Sequence, residues 1–147
     1  MKPTSYLYVI ANRSDARFLR REGLVDRFET LAHLTNPEAR MSAEAFLDDK
    51  PGTVFSASPS HSNAYSPRTT VKEAQQNQFA QAIAEHIRQL ERDLSFDQLI
   101  LVAEPQMLGA LKTALDNSCA RKLTNTIAKD IASLDETEVS ARLSSLL

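Results

Sequence analysis

A chain of 147 residues with 42% apolar and 24% charged side chains is long enough to bury a core and has the balance of a globular domain. Its net charge of −2 excludes a globally basic nucleic-acid binder, and no stretch approaches membrane-spanning length. The single cysteine, Cys119, excludes an internal disulfide framework and fits a reducing compartment, so one cytoplasmic domain over residues 1–147 is expected.

The first apolar stretch, Tyr6 to Ala11, is too short for a secretory core segment and reads as a strand from its β-branched and aromatic content. Asn12-Arg-Ser-Asp15 supplies turn chemistry, because these short polar side chains bond to nearby backbone. Ala16 to Arg21 returns as a second strand, with Phe18 on one face and Arg17 on the other. After a turn at Gly23, Phe28 to Leu34 alternates, placing Phe28, Thr30, Ala32 and Leu34 opposite Glu29, Leu31 and His33. Strands this close in sequence pair as hairpins. Asn36-Pro37 then has the cap-and-first-turn pattern of a short helix ending near Asp49-Lys-Pro-Gly52. The Ser- and Pro-rich stretch from Ser56, without periodicity, is expected to be an exposed, mobile loop at about 56–69.

Thr70-Val-Lys-Glu73 has the form of a capping box. Phe79, Ile83, Ile87, Leu90 and Leu94 follow at helical spacing and predict a long amphipathic helix. Leu99-Ile-Leu-Val-Ala103 is an apolar run of the kind found in strands buried on both faces. It stops at Glu104-Pro105, where a helix carrying Met107, Leu108, Leu111 and Leu115 begins, with Pro105 in its first turn. Gly109 lies inside that helix, where close packing would explain it. Arg121 to Ile127 reads as an edge strand, and Asp135 caps a last helix carrying Val139 and Leu143.

Three antiparallel strands, a crossover helix and two parallel strands give the ribonuclease H-like layout, an α/β mixed sheet of order 3-2-1-4-5 with flanking helices. Several blocks carry a further resemblance: Val9-Ile-Ala-Asn-Arg-Ser-Asp-Ala-Arg-Phe-Leu-Arg20, Asn36-Pro-Glu-Ala-Arg40, Asp49-Lys-Pro-Gly-Thr-Val-Phe55, Phe79-Ala80, Leu99 to Leu111 and Lys129-Asp-Ile131. Together they resemble the bacterial host-attachment proteins over nearly the whole chain. That family is similar to the central domain of class I translation termination factors and Pelota-type ribosome rescue factors. The resemblance implies the same fold, and it leaves ribosome or tRNA binding open as a role.

The residues themselves bound the chemistry. The first strand has no acidic residue, whereas ribonuclease H-type hydrolysis needs several carboxylates around two metal ions. Termination factors act through a Gly-Gly-Gln loop, and the three glycines here, Gly23, Gly52 and Gly109, make none. His33, His61 and His86 have no ligand spacing, so no metal site is assigned. There is no nucleophile elbow, Walker loop or dinucleotide fingerprint, and no cofactor is assigned. No residue is assigned a catalytic role.

Three polar features stand out. Arg13, Arg17, Arg20 and Arg21 in the first hairpin, with Arg68 at the loop exit, are phosphate- and RNA-binding candidates. Asn12, Asp15, Glu104 and Asp130 form a candidate polar cluster at the strand ends, where open α/β sheets place ligands. His61, Asn63 and Tyr65 are candidate contacts in the exposed loop. The expected function is non-catalytic binding to RNA, the ribosome or a protein partner, in a translation- or stress-linked process affecting attachment. The alternative is a hydrolase using the strand-end cluster. No membrane role is expected, and self-association through an edge strand is compatible with the sequence.

Overall fold

Leu7, Val9 and Ala11 point to one side of the first strand and Tyr8 and Ile10 to the other, all at most 2% exposed, so this strand must lie between two layers. The computed structural model describes residues 3–23, 27–37 and 67–146. Its elements are β1 (Ser5–Ala11), β2 (Asp15–Glu22), β3 (Glu29–Thr35), α1 (Pro67–Leu94), β4 (Gln98–Val102), α2 (Pro105–Ala114), α3 (Asn117–Lys122), β5 (Leu123–Ile127) and α4 (Glu136–Leu146). The sheet order is β3-β2-β1-β4-β5, as the sequence predicted. The first three strands are antiparallel, while β1 pairs with β4, and β4 with β5, in parallel.

One face carries Leu7, Val9, Phe18, Leu99 and Leu101 under Phe79, Ile83 and Ile87 of α1, Met107, Leu108 and Leu111 of α2, and Cys119 of α3. The other carries Tyr8, Ile10, Leu19, Ile100 and Val102 under Ile131, Ala132 and, from α4, Val139 and Leu143. Asp135 caps α4 as expected, its Oδ1 accepting from the Glu138 N–H at 2.8 Å. Gly23 closes the second turn at φ +62°, and its N–H donates to the Thr4 carbonyl at 2.7 Å. A side chain there would be strained, and its Cβ would press on Pro3 at 3.3 Å.

The structure corrects several expectations. The long helix begins at Pro67, so Thr70 lies inside its first turns rather than capping it, and 67–69 belong to the helix rather than the loop. Proline is well suited to a first helical turn, and it overrides the capping-box pattern downstream. Leu94, expected on the buried stripe, is 39% exposed because the helix ends there, beyond the sheet. Arg121 and Lys122 close α3, and the edge strand starts only at Leu123. In β3 the pairing passes from Phe18–Ala32 to Leu19–Thr30, leaving Leu31 as an extra residue. That bulge flips the face, so Phe28 packs with Tyr8 while Leu31, Ala32 and Leu34 pack on the opposite core. The expected helix after Pro37, and the loop residues His61, Asn63 and Tyr65, lie outside the described residues.

Candidate functional site

Strands β1 and β4 run parallel, and the chain leaves them toward opposite edges of the sheet. Ligands of open α/β sheets bind beyond the carboxyl ends of such a strand pair. Here that position is occupied by the β1–β2 turn. Asn12 Oδ1 accepts the N–H groups of Ser14 at 2.9 Å and Asp15 at 2.8 Å, and the Asn12 N–H donates to the Asp15 carbonyl at 2.8 Å. One side chain thereby closes the turn that the sequence pattern anticipated. Asn36, buried at the end of β3, donates from Nδ2 to the Arg13 carbonyl at 3.1 Å and from its N–H to the Ser14 carbonyl at 2.8 Å. The hairpin tip is thus held from two sides, and Arg13 projects from it into solvent.

Asp15 is buried and accepts from Ser14 Oγ at 3.1 Å; its other oxygen lies 3.1 Å from His33 Nε2. His33 itself is 43% exposed at its side chain. Sequence reasoning gave His33 no role; the β2–β3 hairpin, which sets Asp15 opposite Thr35 and Arg17 opposite His33, was the available signal. Asn12 Nδ2 reaches Asp130 Oδ1 at 3.5 Å, a long and exposed contact. Glu104 is exposed and precedes α2 without a side-chain cap bond. Within the four-residue cluster Asn12 is thus joined to Asp15 through the turn and reaches Asp130 with its side chain, Asp15 also meets His33, and Glu104 sits at the start of α2. Among the described residues no group of three or more His, Cys, Asp or Glu is arranged to hold a metal ion.

The arginines do not form one strip. Arg20 shares the Leu7 face and pairs with Glu22 at 2.6 Å. Arg17 and Arg21 share the opposite face, beside Ile10 and Tyr6. Arg21 is only 7% exposed, with its guanidinium 4.7 Å from the Tyr6 ring centre and 5.7 and 5.9 Å from those of Tyr8 and Phe28. It is a packed cation–π centre rather than a free phosphate ligand. Burial pushes the Tyr8 hydroxyl above its usual pKa, and the Arg21 charge pulls in the opposite sense. Arg68 lies in the first turn of α1. Lys122 bonds to Glu91 and to the Phe96 carbonyl, next to the start of β5 and so at the other end of the sheet. Arg13 is therefore the hairpin arginine best placed to meet a partner.

A second feature adjoins Arg13. Between α1 and α2 runs a groove of about 700 Å³, lined by Lys72, Glu73, Gln76, Asn77 and Gln81 on one wall and Gln106, Gly109 and Ala110 on the other, with Arg13 beside them. A Cβ added at Gly109 would meet nothing within 4 Å, so the expected close packing is absent. Glycine inside a helix costs about 0.5–1 kcal/mol relative to alanine. Nothing inside the described protein offsets that cost. Cys119, by contrast, is buried in α3, and burial raises its thiol to about 11, which makes it a packing residue and not a nucleophile.

The sheet order, the helices on both faces and the hairpin crest define a ribonuclease H-like α/β domain. The chain belongs to the family described as "Protein required for attachment to host cells", which matches residues 7–143. It is 28% identical over 69 residues to the uncharacterized protein RP470 of Rickettsia prowazekii (strain Madrid E), a match covering 46% of each protein. In three dimensions it resembles the archaeal translation termination factor aRF1 with a TM-score of 0.52 and 12% identity, over 97% of this chain and 38% of that one. At that identity the likeness is one of fold. The matched region is less than half the length of either protein. Among the described residues no helix is long and apolar enough to cross a membrane.

Proposed function

We propose that this protein is a non-catalytic docking module that engages RNA on the ribosome through the tip of its first hairpin. The observation that carries this reading is Arg13, an exposed guanidinium on a turn whose backbone is fixed by Asn12 and Asn36. A turn with a fixed backbone need not be ordered when Arg13 meets a phosphate, and the planar guanidinium fork suits that group. Asn12 is engaged in shaping the turn and Asp15 in holding Ser14 and His33, which accounts for both without a reaction. An influence on attachment to host cells then follows from altered protein synthesis. The test is co-sedimentation with bacterial ribosomes across a salt series. Association that weakens with salt and is lost in Arg13→Glu supports the reading; absence from ribosomal fractions at low salt defeats it.

A second reading is favoured by one contact. Asp15 orients His33 by Nε2 and leaves the ring half-exposed, the arrangement of a general acid–base pair. Turnover of ester or phosphoester substrates that disappears in His33→Gln would establish a hydrolase in its place.

A further inference from the structure

The groove between α1 and α2 has a wall feature that the fold does not require. Gly109 leaves a bare stretch of helix backbone facing the groove, although an added side chain would touch nothing in the protein. A glycine that sits in a helix against its propensity, and is not needed for internal packing, is suited to a ligand that lies against the backbone itself. The other lining groups describe that ligand. Arg13 and Lys72 set two cations against the one carboxylate of Glu73. The first turn of α2, which starts at Pro105 in the same lining, adds the positive end of a helix. Gln76, Asn77 and Gln106 each offer a donor and an acceptor in one plane, the pairing geometry that carboxamides use on adenine edges. The volume of about 700 Å³ falls within the range of small-ligand sites.

We propose that this groove takes an unpaired nucleotide of an RNA strand. Its phosphate meets Arg13 and Lys72, its base lies along Gly109, and the base edge is read by Gln76, Asn77 and Gln106. A double helix keeps its base edges paired and cannot enter in this way, so the site selects single strands. The inference rests on the RNA-docking reading above and adds where, and in what form, the RNA is held.

The test is fluorescence anisotropy of the full-length protein with a labelled single-stranded A6 ribonucleotide, a 12-base-pair RNA duplex, and AMP or a hexaglutamate peptide as competitor. The hexamer should bind more tightly than the duplex. Gly109→Leu, whose Cβ enters open space on the groove wall, should weaken hexamer binding at least tenfold while the melting midpoint stays equal or rises. If that variant melts lower, the exposed pair Asn77→Ala and Gln106→Ala carries the same test and the same expected loss. Hexamer binding unchanged in the filled or stripped groove overturns the inference. Equal competition by AMP shows a free-nucleotide site, and equal competition by hexaglutamate a peptide site; either result also overturns it. If ribosome association survives while the hexamer fails to bind, only the groove assignment falls. If both are absent, the docking reading falls with it.

Discussion

Asn36 and Arg13 are joined by a hydrogen bond of 3.1 Å, from the amide of one to the carbonyl of the other, across 23 positions of sequence. That bond ties the end of β3 to the tip of the β1–β2 hairpin, and it fixes the main chain from which Arg13 projects. Asn36→Ala should therefore lower unfolding free energy in urea by about 1–3 kcal/mol, since a buried amide and its acceptor lose each other. It should also raise amide exchange at Ser14, whose carbonyl accepts the Asn36 N–H.

Arg13 and Arg21 should separate cleanly in mutational tests. Arg13 is exposed, so Arg13→Glu should leave stability within about 0.5 kcal/mol of the parent while weakening partner binding. Arg21 is enclosed by Tyr6, Tyr8 and Phe28, so Arg21→Ala should cost about 2–3 kcal/mol in lost packing. Reversing its charge would set a carboxylate against three rings, and any loss of binding in Arg21→Glu would report unfolding. Urea denaturation beside the binding assay distinguishes the two effects.

Gly109→Ala adds a methyl group into open space on α2. It should stabilise the protein by about 0.5–1 kcal/mol, read as a higher melting midpoint. If the groove is a binding site, the gain comes with weaker ligand affinity.

The Cys119 thiol is raised to about 11 by burial first, with the neighbouring Asp116 adding to it. An unfolded chain ionises its thiol nearer 8.5 to 9, roughly the ordinary value. Between that value and about 11 the unfolded state has released a proton that the folded state retains, so stability should fall as pH rises through this window. Cys119→Ala should flatten that part of the profile. In the native protein a thiol reagent at pH 8 should react only after unfolding.

Legibility followed the range of the interactions. The strand order, the antiparallel hairpins and the long helix were readable because apolar spacing and turn residues act over a few positions. Asn12 shaping its own turn and Asp135 capping α4 belong to the same class. His33 was not readable as a partner of Asp15, because that contact exists only once β2 and β3 are registered. The groove was equally hidden, since its walls come from two helices that meet only in the folded chain.

By itself, then, the sequence determined the α/β sheet with order β3-β2-β1-β4-β5, the buried character of β1 and β4, and the polar crest at Asn12. Those follow from local periodicity and from backbone hydrogen bonds that short side chains can satisfy nearby. Only the tertiary structure decided which arginines face outward. Strand side chains alternate, so neighbours such as Arg20 and Arg21 must take opposite faces, and the bulge at Leu31 then brings Phe28 onto the Arg21 side. The four closely spaced arginines of the hairpin therefore resolve into an exposed tip at Arg13, an ion pair at Arg20, and Arg17 and Arg21 on the opposite face, Arg21 bound among aromatic rings, because packing on two faces separates what the sequence places together.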